Sequence, residues 1–299
     1  MQLVILKSAH SRMVNEACDA TSALLDKDGR NISQAVSIPI HLGCLTVMGD
    51  LFSKEFPEGK AKPGDCYILN DPYSGGTHLP DIAVATPSFL GNKLIGYATV
   101  MIHHQDIGGV LPGSASVYAH DLYSEGLRLP LVKIIDAGKI NYDLVSLMKS
   151  NSRTPETLRG DLFAQIAASI IGAQRLSKLA DSYGLRPLYE GINSLLDYTE
   201  KLTRDEINKI PDGDYVFSDW VDNDGSLDHK EPIKIKVKML VKGSNIKFDF
   251  SGSSPQVKTA INNVPSSGTS AVMFGIRTLT GHKAPDNEGG FRPVSIHFP

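Results

Sequence analysis

Residues 66–81 read CYILNDPYSGGTHLPD, a short apolar run followed by a turn rich in glycine, proline and polar side chains. The run 66–69 predicts a strand, and Asn70-Asp71-Pro72 with Gly75-Gly76 predicts the turn that ends it. Residues 93–102 predict a second strand, buried on both faces, and the stretch HHQDIGG at 103–109 follows it. Binding and catalytic groups concentrate on loops held by rigid elements. We therefore expect the two turns to lie side by side and to form a site.

Imidazole and carboxylate groups recur in both turns at the same spacing. His78 and Asp81 stand three residues apart, and so do His103 and Asp106. These groups are ligands for zinc and manganese-type ions. We therefore predict a mixed nitrogen and oxygen metal site with room for substrate, with His78, Asp81 and His103 as ligands. The alternative is that these histidines only hydrogen-bond the backbone of glycine-rich turns.

The neighbours of these three ligands are candidates for catalysis. Successive residues of a strand point to opposite faces, so only one of His103 and His104 is expected to face an ion. His104 is then a candidate acid/base group, or a structural histidine. Asp106 is a candidate fourth ligand, or a group that orients an imidazole. Asp71 either orients His78 or opens the turn.

A short loop at 125–128 adds one carboxylate and one guanidinium. Glu125 and Arg128 flank a glycine. Arg128 is suited to gripping a carboxylate or phosphate, although a surface ion pair is the equal alternative. His120 and His41 are weaker candidates, and we expect His41 to be structural.

Composition restricts the class of protein. The chain has 299 residues, 41% hydrophobic and 21% charged, with a net charge of −3. This balance offers no basic surface for nucleic acid or anionic membrane, and no apolar run is long enough to span a bilayer. With no secretory signal at the start, we expect a cytoplasmic protein. Its three cysteines, Cys18, Cys44 and Cys66, are expected to be free thiols.

The pattern along the chain predicts an α+β protein with mixed or antiparallel sheets and a central helical hairpin at about 154–209. We expect an α/β domain with the metal site at 1–150, the hairpin within 151–210, and a second β-rich part at 211–299. The helices are predicted from Pro155 to a cap at Gly184 and from Pro187 to Ile207. Further strands are predicted at 20–25, 214–221, 233–241 and 246–250. A helix at 266–281 should bury Ala271, Val272, Phe274 and Ile276.

No nucleotide-binding motif accompanies the predicted metal site. The chain lacks a phosphate loop with its lysine, and no G-x-G-x-x-G follows a strand. A nucleophile elbow of the form G-x-S-x-G is also missing. We therefore expect no nucleotide site in this chain.

An ordered series of motifs resembles the hydantoinase B/oxoprolinase family, the HyuB-type subunit of N-methylhydantoinases, 5-oxoprolinases and acetone or acetophenone carboxylases. The resemblance covers essentially the whole chain. Its motifs are IPIHLG at 38–43, NDPY at 70–73, GGTHLPD at 75–81, HH at 103–104, DIGG at 106–109, EGLRLP at 125–130, RTPE at 153–156, GDL at 160–162, AQ at 164–165, DFSGSSP at 249–255 and NEG at 287–289.

The resemblance implies a subunit that works with a HyuA-type partner, which binds ATP and uses it to phosphorylate an amide carbonyl or enolate oxygen. It also implies a manganese or zinc ion, because the carboxylase members carry one on ligands that resemble His78, Asp81 and His103. We expect a metal-dependent subunit of an ATP-dependent cyclic amide hydrolase acting on a small molecule. The alternatives are a carboxylase subunit, a non-catalytic scaffold or inactive remnant, and a metallohydrolase that needs no ATP.

The chain also departs from the family pattern at its ends. Family members begin earlier and continue well past the equivalent of Asn287-Glu288-Gly289. We therefore expect a chain shortened at both ends, with the remaining C-terminal part as a possible separate partner chain.

Overall fold

The computed structural model describes residues 1–114, 116, 118–226, 231–281 and 283–299, with the side chain of Val36 left undescribed. Two β-sheets and seven α-helices form this part of the chain. The expected α+β class with mixed or antiparallel sheets is confirmed.

The first sheet has seven strands, and every neighbouring pair is antiparallel. Its order in space is β2-β1-β5-β4-β3-β6-β7. The strands, in chain order, are β1 (Ala20–Asp26), β2 (Asn31–Val36), β3 (Cys66–Leu69), β4 (Asp81–Leu90), β5 (Lys93–His103), β6 (Val132–Asp136) and β7 (Lys139–Ile140).

Helices pack on both faces of this sheet. The α-helices of the described chain are, in order, α1 (Gln2–Ser8), α2 (Arg12–Asn15), α3 (Cys44–Glu55), α4 (Tyr142–Asn151), α5 (Pro155–Tyr183), α6 (Leu185–Ile207) and α7 (Pro265–Thr280). On one face Val84 and Val100 join a core with α1, α4 and α5. On the other, Ala83 and Met101 join a core with α3. This two-sided burial explains why the central strands are almost continuously apolar.

The predicted helical hairpin is α5 and α6. The glycine between them, Gly184, has a φ of 82° and a ψ of 156°. The second helix begins at Leu185 rather than at Pro187, because a proline is tolerated in a first helical turn, where backbone N–H groups have no partner in the helix. Apolar residues of both helices, among them Leu176 of α5 and Ile192 of α6, form a cluster with Ile32 and Ile95 of the first sheet, so the hairpin packs on that sheet.

The second sheet contains β8 (Gly213–Val221), β9 (Ile233–Lys242), β10 (Asn245–Asp249) and β11 (Val294–His297). Its order is β11-β10-β9-β8, and the β10–β11 pair is parallel. Residues of β9, β10 and β11 pack against α6 and α7 through Val241, Ile246, Met273 and neighbouring apolar side chains. The β8 end of the sheet is different, because Phe217 is 66% exposed and Ile235 is 49% exposed.

The structure corrects the expected burial in α7. Ala271 and Phe274 are exposed, whereas Val272, Met273 and Ile276 are buried. The helix is therefore rotated relative to the predicted face, so that Met273 rather than Phe274 meets the second sheet. Among the helices described, none is both long and apolar enough to cross a membrane.

Candidate metal centre

The strand pairing of the first sheet brings two of the predicted ligands together. Asp81 is the first residue of β4 and His103 is the last residue of β5, and the two are direct cross-strand partners. Side chains of such partners lie on the same face of a sheet and close together. His78 reaches the same place from the turn between β3 and β4.

The three side chains meet at distances suited to a single ion. His78 Nε2 lies 3.1 Å from His103 Nδ1 and 3.1 Å from Asp81 Oδ1, and His103 Nδ1 lies 3.4 Å from that oxygen. Zinc bonds of about 2.0–2.2 Å in a tetrahedral arrangement place ligand atoms roughly 3.3–3.6 Å apart. The residues present therefore fit a divalent cation without rearrangement of the strands.

The hydrogen bonding of Asp81 Oδ1 is a second indication that the site suits a cation. This atom is buried and accepts no hydrogen bond of normal geometry, although two imidazole nitrogens lie close to it. A buried oxygen without a hydrogen bond is costly. Coordination to a cation would satisfy it.

The electrostatics of the cluster favour a charged Asp81. Burial alone would raise the pKa of Asp81, but the imidazoles of His103, His41 and His78 beside its oxygens lower it well below its usual range. Burial alone would lower the pKa of His78, but its close contact with the Asp81 carboxylate and the nearby negative charges outweigh burial and raise it. The site thus concentrates negative charge that attracts a proton or a metal ion.

Asp19 and His41 form a second group around the same carboxylate. His41 Nε2 lies 3.4 Å from Asp81 Oδ2 and 3.7 Å from Asp19 Oδ1. Their ligand atoms and that of Asp81 lie within 4.8 Å of one another, so this group also has the composition of a cation site. Sequence reasoning missed Asp19. It stands just before β1, outside both histidine motifs, and nothing in its local sequence marks it.

Glu125, one of the predicted catalytic candidates, lies close enough to His78 for their charges to interact. Its half-buried carboxyl group has a pKa raised by burial, and its charge and that of His78 attract one another. The side chain of His78 is 45% exposed, so this side of the cluster is open to a substrate.

His104 points to the opposite side of the sheet from His103. It is fully buried, and its Nε2 lies 3.3 Å from Gln165 Oε1 on α5. Burial lowers its pKa and favours the neutral imidazole. This position favours the structural reading of His104 over an acid/base group in contact with substrate.

Asp106 organises its own loop. Its carboxylate accepts hydrogen bonds from the backbone N–H groups of Gly108, Gly113 and Arg153, and Arg153 Nη1 lies 3.1 Å from its Oδ2. It belongs to neither group of side chains with metal-binding geometry. The contacts therefore favour a loop-forming carboxylate over a fourth ligand.

Asp71 and Arg128 interact with each other. Asp71 accepts a hydrogen bond from Tyr73 N at 3.0 Å and lies 2.5 Å from Arg128 Nη2. The contacts of Asp71 are those of a residue that opens a turn. Arg128 forms an ion pair with Asp71, which favours the ion-pair alternative over a role in binding a carboxylate or phosphate ligand. His120 bonds the carbonyl oxygen of Lys258 at 2.8 Å.

The turn that carries His78 is fixed by buried polar contacts. Asn70 Nδ2 donates to the carbonyl oxygens of Leu79 and Leu127 at 2.7 and 2.8 Å, and its Oδ1 accepts from Leu129 N at 2.6 Å. Ser266, at the start of α7, donates to the carbonyl oxygen of Gly76. The turn is therefore attached to the 125–130 loop and to the second half of the chain.

Comparison with known proteins identifies the family of the chain. The family model described as hydantoinase B/oxoprolinase matches residues 1–299. The chain is 34% identical to a putative D-/L-hydantoinase subunit from Pseudomonas sp., over 99% of this chain and 52% of that protein. It is 33% identical to 5-oxoprolinase of Saccharomyces cerevisiae, over 98% of this chain and 23% of that protein.

A solved structure has the same fold. The crystal structure of ATP-dependent caprolactamase from Pseudomonas jessenii superposes with a TM-score of 0.93 at 30% identity, covering 99% of this chain and 51% of that chain. The chain therefore spans about half the length of the two bacterial relatives and about a quarter of the yeast enzyme. Because the match extends from the first residue to the last, the chain belongs to the hydantoinase B/oxoprolinase family.

Proposed function

We propose that this chain is the metal-dependent part of a subunit in an ATP-dependent complex that hydrolyses the C–N bond of a cyclic amide. The observation that carries the proposal is the convergence of His78, Asp81 and His103, whose ligand atoms lie 3.1–3.4 Å apart. A set of three protein ligands leaves an open position for water or substrate, as a catalytic ion requires.

The names of the relatives support the substrate class. Hydantoin, 5-oxoproline and caprolactam are all cyclic amides, and each names a relative or a solved structure at 30% identity or more. This common chemistry favours the hydrolase over the carboxylase alternative.

We assign different roles to the residues at the site. His78, Asp81 and His103 would hold the ion, manganese or zinc. When bound, such an ion polarises a carbonyl oxygen and lowers the pKa of a bound water. We assign proton transfer to and from the substrate to Glu125, whose half-buried carboxyl group interacts with the charge of His78 and has a pKa raised by burial.

ATP is assigned to a partner. The chain has no phosphate loop, and two relatives, a hydantoinase and a caprolactamase, are named as single subunits rather than as whole enzymes. In the proposed complex a HyuA-type subunit phosphorylates the amide oxygen, and this chain completes the hydrolysis. We place the complex in the cytoplasm, where ATP is available.

Metal analysis of the purified chain tests the proposal. We expect about one transition metal ion per chain, retained through gel filtration, and loss of that ion in His78→Ala because one of three ligands is removed. His120→Ala is the matched control, since it replaces a histidine outside the cluster.

Two results would contradict the proposal. The first is that the native chain binds no stoichiometric ion after incubation with manganese or zinc. His78, Asp81 and His103 would then be structural residues of an inactive scaffold. Turnover of a cyclic amide by the chain alone, without ATP or a partner, would replace the complex by a stand-alone metallohydrolase.

A further inference from the structure

The two oxygens of Asp81 face different partners. Oδ1 faces the imidazoles of His78 and His103, at 3.1 and 3.4 Å. Oδ2 accepts a hydrogen bond from Thr77 Oγ1 and lies 3.4 Å from His41 Nε2. One carboxylate thus has a side directed at the candidate ion and a side directed at two hydrogen-bond donors.

His41 is held in a fixed position behind Asp81. Only 1% of the residue is exposed. Its carbonyl oxygen accepts a hydrogen bond of 2.7 Å from Gln34 Nε2, and that amide also donates to Thr21 Oγ1 at 3.1 Å. These bonds hold the backbone of His41 against strands β1 and β2, because Thr21 and Gln34 belong to them.

The tautomer of His41 follows from its neighbours. The Nδ1 atom is buried without a hydrogen-bond partner, whereas Nε2 faces the carboxylates of Asp81 and Asp19. Two carboxylates beside one ring nitrogen require a proton on that nitrogen. His41 Nε2–H is then a donor to Asp81 Oδ2, which explains why the ring stays buried beside two acidic groups.

We propose that His41 and Thr77 are positioning residues that bind Asp81 Oδ2 and leave Oδ1 as the sole oxygen available to the ion. This inference rests on the proposed metal centre. Ligating carboxylates are commonly oriented by hydrogen bonds from outside the coordination sphere, and loss of such a bond weakens metal binding by about 10–100-fold. With either donor removed, the carboxylate of Asp81 is free to rotate and Oδ2 loses a buried hydrogen bond.

The test is the affinity of the metal-free chain for Mn²⁺ and Zn²⁺, measured by competition with a chelator. We expect His41→Leu and Thr77→Val each to weaken binding by about 10–100-fold. His41→Gln keeps an N–H donor and should retain most of the affinity. His297→Leu, on β11 of the second sheet, is the matched control for loss of a histidine.

Two further measurements separate positioning from damage to the fold. The urea midpoint of each variant in the presence of chelator reports the metal-free fold, and we expect Thr77→Val to unfold in one cooperative transition whose midpoint falls only by the loss of one buried hydrogen bond. The electron paramagnetic resonance spectrum of bound Mn²⁺ should change in Thr77→Val, because the coordination of Asp81 changes.

The outcomes are distinct. If the native chain binds no ion, the proposed function fails and the positioning residues have nothing to position. If the native chain binds one ion and both variants bind it with native affinity and an unchanged spectrum, the positioning inference is wrong. Two ions per native chain, falling to one in His41→Leu, would instead make His41 a ligand of a second ion held with Asp19 and Asp81.

Discussion

The cross-strand pair of Asp81 and His103 determines the geometry of the site, whereas His78 depends on a turn. Backbone pairing of β4 with β5 fixes the first two residues. The turn reaches its position through Asn70, whose amide joins it to Leu79, Leu127 and Leu129. The position of His78 is therefore the most sensitive of the three to changes in the surrounding loops.

Glu125→Gln tests proton transfer at the site. We expect turnover by the complex with its ATP-using partner to fall by about 100-fold, because an amide cannot exchange a proton as a carboxyl group does. Metal content should stay unchanged, since Glu125 belongs to neither group with metal-binding geometry. The measurements are kcat for a cyclic amide and the metal content of the same preparation.

The control for this substitution is Glu156→Gln. Glu156 is exposed and pairs with Lys149 at 2.7 Å, at the start of α5. Equal turnover in the two variants would show that Glu125 takes no part in the reaction. Its raised pKa would then be a consequence of burial alone.

At the site, the sequence predicts the three side chains that meet, but it does not predict that Asp19 and His41 lie behind them. His78, Asp81 and His103 stand in motifs whose spacing is visible along the chain. Asp19 and His41 reach the site only because β1 pairs with β5 and the turn after β2 folds back. Contacts of this kind depend on the order of the strands in the sheet, which local residue patterns do not predict.

At the scale of single elements, the link between α5 and α6 depends on Gly184. Its φ of 82° and ψ of 156° lie in a region that is essentially restricted to glycine. We expect Gly184→Ala to lower the free energy of unfolding by about 1–3 kcal/mol. Urea denaturation followed by circular dichroism measures the change.

Gly191→Ala is a matched substitution with the opposite expected sign. Gly191 lies inside α6, and a Cβ added there meets no other atom within 4 Å. Alanine should therefore stabilise α6 by about 0.5–1 kcal/mol through its higher helix propensity. A loss of stability in Gly191→Ala as large as that in Gly184→Ala would contradict the backbone explanation.

Some elements were predictable and others were not, for reasons that particular residues show. The apolar runs of β3 and β5 and the 3.6-residue period of α5 are strong local signals. By contrast β4 contains Pro87, which argues against a strand. The proline is tolerated there because β3 pairs only with Ala83–Ala85 of β4 and ends before it. Helix α3 is obscured by Thr46, Val47 and Gly49, all weak helix formers.

For the whole molecule, β8 is an exposed edge of the second sheet. It is nine residues long and pairs only with β9 in the described part of the chain. Val216 is 61% exposed and Phe217 is 66% exposed. Long apolar edge strands are templates for pairing with other chains.

We therefore expect the isolated chain to self-associate as its concentration rises, and Phe217→Lys to weaken this association tenfold or more, about 1.4 kcal/mol. Sedimentation velocity over a concentration series measures it. Phe274→Lys, at a residue of α7 that is 46% exposed, is the matched control. Equal weakening in both variants would point to general surface hydrophobicity rather than to β8.

The parallel pairing of β10 with β11 sets an order of events during biosynthesis. Strands β8, β9 and β10 are neighbours in sequence and can pair as soon as they leave the ribosome. Strand β11 can join only after the intervening stretch, including α7, has emerged, because a parallel partner needs a long crossover. Until then one side of β10 stays open, and this is the interval in which a nascent chain would most need a chaperone.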